Sequence, residues 1–126
     1  MKTAYERKTA KLLSVLGNPI RLKILLAIGP GEACVCHLEA VLKKRQAYIS
    51  QHLMVLRDGG ILETRRDGKF IFYRVSDEKI FTLIETAAGL AGISAEDLRK
   101  YAEPVTHAKC DCPSCEPEYS QEKITN

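Results

Sequence analysis

No stretch of this chain approaches eighteen consecutive apolar residues, which excludes a membrane-spanning helix; the longest apolar cluster, Ile24 to Ile28, is bounded by Lys23 and Gly29. The segment Met1 to Lys11 carries charges and no apolar run long enough for a signal peptide. Five cysteines is an odd number, so a disulfide framework is not expected and the thiols are assigned to a reducing, cytoplasmic setting. There is no Ser/His/Asp pattern, phosphate-binding glycine loop or paired-carboxylate cleft, and this argues against an enzyme. Internal repeats are absent too. At 126 residues the chain can bury one small core, of a size that often needs an oligomeric partner.

The formal charge of +3 is too small to argue for nucleic acid by itself, but its distribution is uneven. Between Lys43 and Arg74, Lys43, Lys44, Arg45, Arg57, Arg65, Arg66, Lys69 and Arg74 face only Asp58, Glu63 and Asp67. From Glu103 onward the balance reverses, with Glu103, Asp111, Glu116, Glu118 and Glu122 against Lys109 and Lys123.

Hydrophobic spacing predicts a mainly α chain with a small β-hairpin. Ala4, Leu12, Leu13, Val15 and Leu16 make an amphipathic helix ending at Gly17. Asn18-Pro19 is a cap followed by a good first helical residue, so a second helix runs to about Ile28 with Ile20, Ile24, Leu25 and Ile28 inward; Gly29-Pro30-Gly31 stops it. A third helix from Val35 to Leu42, with Leu38, Val41 and Leu42 at core spacing, is separated by Lys43-Lys44-Arg45 from a fourth, Gln46 to Asp58, with Ile49, Leu53 and Leu56 inward. So tight a connection between short helices predicts a helix-turn-helix. Gly59-Gly60 closes it with residues tolerant of positive φ. Alternation over 61–66 and 69–75 around Asp67-Gly68 predicts a hairpin, the wing, and Asp77 is the expected cap of a last helix through Leu90, with a further turn over 95–101. Residues 1–102 are expected to form the winged domain and 103–126 a flexible, cysteine-rich tail.

Cys34-Val35-Cys36 lies at the start of the third helix, with Cys34 at its cap and Cys36 in its first turn. Helix residues two apart lie about 200° from each other, so a ligand shared by both sulfurs is expected to distort the helix start. The orphan amides and dipole there favour thiolates. The alternative is two small buried hydrophobes. Cys110, Cys112 and Cys115 form C-x-C-x2-C in the tail; they complete a site with Cys34 and Cys36, form one of their own, or scavenge metals and oxidants. His37 and His107 are possible nitrogen ligands, though on a helix His37 should point away from the pair. Thiolate-only coordination selects soft ions, As(III), Cd(II) or Pb(II), with Zn(II) a competitor.

On the fourth helix Gln46, Ser50 and Gln51 are candidates for reading base edges, and Lys44, Arg45, Arg57, Arg65, Arg66 and Lys69 for contacting phosphates, the wing pair reaching toward the minor groove. His52 is a candidate to join a phosphate or the adjoining helix.

The element order together with Gly17-Asn18-Pro19-Ile20-Arg21, Cys34-Val35-Cys36, Ile49-Ser50-Gln51-His52-Leu53 and Arg66-Asp67-Gly68-Lys69 resembles the ArsR/SmtB family of metal-responsive repressors over residues 9 to 90, with a Cys-Val-Cys variant like its arsenic and cadmium/lead branches. The resemblance implies a homodimeric winged helix-turn-helix, paired through its first and last helices, that binds near-palindromic double-stranded operator DNA and releases it when metal binds. Three departures stand out. Glu39 occupies the place of the arsenic branch's third cysteine, residues 1–30 lack the cysteines of the cadmium/lead branch, and residues 77–100 lack the histidines of the zinc branch. The expected mechanism is strain at the start of the third helix, passed to the recognition helix; the expected rival is a thiol-redox or persulfide switch on the same fold.

Overall fold

The computed structural model describes residues 2–102. In chain order they form α1 (Lys2–Leu16), α2 (Pro19–Ile28), β1 (Glu32–Cys34), α3 (Val35–Leu42), α4 (Gln46–Asp58), β2 (Leu62–Asp67), β3 (Phe70–Val75), α5 (Lys79–Leu90) and α6 (Ala95–Ala102). The expected tail ligands Cys110, Cys112, Cys115 and His107 lie outside the described residues.

Local chemistry accounts for the helix boundaries. Asn18 keeps an extended backbone while its Oδ1 accepts from the amides of Ile20 (3.0 Å) and Arg21 (3.4 Å), and Pro19 follows where a missing N–H costs nothing. The Asp77 carboxylate accepts from the Lys79 amide at 2.9 Å just ahead of α5, whose cap position is Glu78 and not the expected Asp77, while Ser94 Oγ accepts from the Asp97 amide at 3.1 Å at the start of α6. Ile24, Leu25, Leu38, Ile49, Leu53 and Leu56 interlock as a core with no solvent exposure, which packs α2, α3 and α4 against one another. Val41 and Leu42 are only half-buried.

The helix-turn-helix connection is tight enough to force Lys43 into the left-handed region at φ 55°, the one described non-glycine residue there. A side chain in that region costs about 1–2 kcal/mol, partly offset by the extra freedom glycine has when unfolded. Lys43→Gly is therefore expected to stabilise the domain by about 0.5–1 kcal/mol and raise Tm by a few degrees, whereas β-branched Lys43→Val should lower it; thermal unfolding followed by circular dichroism checks both.

The sheet departs from the expected hairpin in having a third strand. β1 pairs antiparallel with β3, giving the order β1-β3-β2, with Cys34 opposite Phe72 and Arg65 also opposite Phe72 from the other side. Three residues show no alternation, and their partner lies some forty residues away, so no local signal marks β1. The hairpin loop is also one residue later than expected. Asp67 pairs with Phe70, leaving Gly68-Lys69 as the two-residue turn, and Gly68 at φ +61° followed by a lysine outside the positive region is the type II′ arrangement. At the end of α4 only Gly60 uses a positive φ; a Cβ on Gly59 would stand 3.3 Å from Val15 Cγ2, so that glycine lets α1 approach.

Alternation gives the sheet two unlike faces. Ala33, Leu62 and Tyr73 join the main core, while Cys34 and Phe72 form a separate cluster with Cys36 and Phe70 packed against it. The other end of the fold leaves apolar surface uncovered. A groove of about 650 Å3 runs between α1, α2, α5 and α6, lined by Leu13, Leu22, Leu26, Leu83, Ala87 and Leu98 among others. Leu13 (51% exposed) and Tyr101 (62%) are among its lining, and Leu90 on α5 is 87% exposed. Among the described residues no helix is long and apolar enough to cross a membrane.

Candidate thiol site and nucleic-acid interface

Cys34 ends β1 and caps α3 in one residue: its backbone is extended (φ −88°, ψ 166°) and its Sγ accepts from the His37 amide at 3.4 Å. Because Cys34 stands outside the helix, the 200° separation expected of the pair does not apply. Its Sγ lies 2.7 Å from that of Cys36. The expectation that a shared ligand must distort the helix start is thus corrected, since the strand-to-helix corner already turns both sulfurs to one point. Cys34 is 2% exposed against the fully buried ring of Phe72, as the buried-hydrophobe reading expects, while Cys36 is half-buried. The His37 contact runs through its backbone amide, and the ring is half-buried.

As a metal site the donor set is incomplete within the described residues, none of which form a group of three or more His, Cys, Asp or Glu side chains placed to hold an ion. Two converging cysteine sulfurs fit part of a sulfur-donor site for a soft ion.

The candidate DNA residues divide by how they are held. Gln46, Gln51, Lys44, Arg45, Arg66 and Lys69 are exposed, and Ser50 is half-buried on the same helix. Arg57 pairs with the neighbouring Asp58 at 3.3 Å, an exposed contact worth at most about 1 kcal/mol and easily exchanged for a phosphate. Arg65 is held more firmly. It is hydrogen-bonded and ion-paired to Glu32 on β1, lies 3.8 Å from Asp67, and sets its guanidinium 4.6 Å above the Phe72 ring. The hydrogen bond from Arg65 holds the Glu32 carboxyl below its ordinary range. Lys69 Nζ lies 5.4 Å above the Phe70 ring.

Of the two roles expected for His52, the geometry is that of a link to the adjoining helix. Its Nδ1 accepts from Arg21 Nε at 3.2 Å, Arg21 Nη1 donates to the Val15 carbonyl at 3.1 Å, and Tyr48 meets the imidazole edge-on at 4.9 Å. Two motif residues thirty-one positions apart thereby tie α4 to the α1–α2 corner, a role for Arg21 that the sequence did not assign. Partial burial, and secondarily the Arg21 charge, push the His52 pKa below its ordinary 6.5. Since the proton is disfavoured in the fold, the stability due to this contact is complete above about pH 6.5, where the unfolded chain is also neutral. It is lost as pH falls through the lowered folded value. Urea titrations from pH 8 to 5.5 should show the decline in the native chain and a flatter profile in His52→Gln, whose amide oxygen still accepts from Arg21.

The profile described as "Bacterial regulatory protein, arsR family" matches residues 18–64. The chain is 42% identical over 91 residues, 72% of its length and 78% of the relative's, to a biofilm growth-associated repressor of Agrobacterium fabrum. It is 34% identical to a CadC homolog of Staphylococcus aureus, called a cadmium resistance transcriptional regulatory protein (62% of this chain, 65% of the relative). To the arsenical resistance operon repressor of Escherichia coli it is 42% identical (52% and 57%). Among solved structures, reduced HlyU of Vibrio cholerae superposes with TM-score 0.62 at 31% identity, covering 71% of this chain and 94% of that one. A homodimeric winged helix-turn-helix DNA-binding domain from Mycobacterium bovis gives 0.66 at 28% identity, covering 72% and 84%.

Proposed function

Since the chain belongs to the arsR family of bacterial regulatory proteins and is a transcriptional repressor, not an enzyme, we propose that it is a derepressor whose grip on operator DNA is set by the Cys34–Cys36 thiol pair. The observation that carries this reading is the convergence of two sulfurs, 2.7 Å apart, at the corner joining a wing strand to the helix-turn-helix. The thiolates would hold a soft ion, As(III) or else Cd(II) or Pb(II), with Zn(II) in competition, each sulfur donating its own bond to the ion so that the sulfurs are bridged through it. Cys34 and Cys36 give two of the donors; one or more of Cys110, Cys112 and Cys115 gives the rest. The names of the arsenic and cadmium relatives support this choice.

The protein works as a cytoplasmic homodimer. Its uncovered groove and the exposed Leu13, Leu90 and Tyr101 suit a second copy paired through α1 and α5, and the M. bovis neighbour is itself a homodimer. Each protomer offers Gln46, Ser50 and Gln51 to base edges of double-stranded DNA and Lys44, Arg45, Arg57, Arg66 and Lys69 to phosphates. His52 keeps α4 seated through Arg21. Arg65 contributes a cation midway along the wing. α3 begins at the thiol pair and packs on α4, so chemistry at the sulfurs reaches the recognition helix through one short element.

A thiol-redox or persulfide switch is the second reading, favoured by the same close sulfurs and by a structural neighbour described as reduced. Ultraviolet titration of the reduced full chain with Cd(II) and with As(III) tests the first. It is expected to give a thiolate charge-transfer band saturating at one ion per chain and lost in Cys34→Ser and Cys36→Ser. A band that survives both substitutions puts the ion elsewhere.

A further inference from the structure

The thiol pair does not sit on the main core. It lies on the opposite face of the wing's own sheet, against Phe72 with Phe70 beside it. Cys34 faces Phe72 across the β1–β3 ladder, and Phe72 faces Arg65 across the β3–β2 ladder, so one row of the sheet runs from the sulfur through the ring to the guanidinium. The guanidinium rests 4.6 Å from the ring centre and is anchored by Glu32, two residues before Cys34. Lys69, in the turn at the wing tip, lies over Phe70.

We infer that Phe72 and Arg65 are positioning residues that carry the state of the Cys34–Cys36 pair into the wing. This rests on the thiol-switch reading above. Either chemistry changes how the two sulfurs sit against their neighbours, because a bound ion or a new covalent bond at sulfur fixes their separation and direction. Cys34 and Phe72 are both fully enclosed, and a close-packed contact has no slack to absorb such a change. The ring must tilt or the strand shift. Arg65 is stacked on that ring and tethered to the same strand as Cys34, so it moves with either, and the adjoining hairpin tip carrying Arg66 and Lys69 moves with it. The route through α3 to α4 involves neither aromatic ring, which makes the two routes separable.

The test uses the full chain with Cd(II) as the probe and three measurements: the thiolate–Cd(II) band, operator affinity with and without Cd(II), and amide hydrogen exchange over residues 62–75. In the native chain Cd(II) should weaken DNA binding about tenfold or more and speed exchange in the wing. Phe72→Leu should show the same band, release DNA less than about threefold, and leave wing exchange unchanged. Should Phe72→Leu fold poorly, Arg65→Met, altered at an exposed position, should lose apo affinity and also most of the Cd(II)-dependent ratio. Variants that bind Cd(II), release DNA and speed wing exchange as the native chain does overturn the inference while leaving the thiol switch standing. If the native chain shows neither band nor release, the metal reading fails instead. Diamide-oxidised protein then decides the coupling by the same exchange measurement, and a wing that does not respond overturns it.

Discussion

A Leu13→Glu chain is expected to run as a monomer and to lose about 10^2- to 10^4-fold in affinity for a two-half-site operator. Leu13 is half exposed on α1 and lines the apolar groove, so the substitution leaves the protomer's own core intact. Its cost falls on pairing. A carboxylate at the centre of an apolar interface is desolvated without a partner, at several kcal/mol, and two copies each carry one. Once pairing is lost, each half-site is bound independently, and the effective concentration that tethers the second recognition helix disappears. Sedimentation velocity and fluorescence anisotropy on one preparation check both halves of the expectation. A Leu13→Glu protein that stays dimeric would move the interface away from α1.

The second large effect is confined to the response. Cys34→Ser and Cys36→Ser should each bind operator within about twofold of the native chain, yet reduce Cd(II)-induced release from tenfold or more to less than twofold. A serine at position 34 keeps an acceptor for the His37 amide and is a better cap than a thiol, so folding is preserved. What is lost is the soft donor. Linkage adds a check on the native chain, because a ligand that weakens DNA binding tenfold must itself be bound tenfold more weakly by the DNA complex.

Much of this architecture is legible in the residues, for reasons that differ between elements. Helix limits are readable because they rest on local chemistry, such as Asn18-Pro19 at one start and Asp77 just ahead of another. The four inward positions of α2 are readable because every one of Ile20, Ile24, Leu25 and Ile28 repeats at helical spacing. β1 is not readable, because Glu32–Cys34 becomes a strand only through its pairing with β3. That single omission hid most of the thiol environment. Without β1, Cys34 reads as a helix cap whose sulfur is set well around the helix from that of Cys36; with it, the two sulfurs meet and Phe72 forms their floor. A signal for the second covered face was present, since Phe70-Ile71-Phe72-Tyr73 is apolar on both sides of the strand, as strands enclosed on both faces are. The Arg21–His52 link and the Glu32–Arg65 pair join residues more than thirty positions apart, and no periodicity within one element encodes such contacts.

Thiol chemistry at Cys34 and Cys36 is proposed to control operator binding. Fluorescence anisotropy of the reduced protein on the DNA upstream of its own gene, at fixed salt and titrated separately with As(III), Cd(II), Pb(II) and Zn(II), decides whether it does. The apo protein is expected to bind tightly and to be released at least about tenfold by one or more of the first three ions, with zinc weaker. Tight binding that none of the four ions disturbs would contradict metal control and transfer the pair to the redox reading.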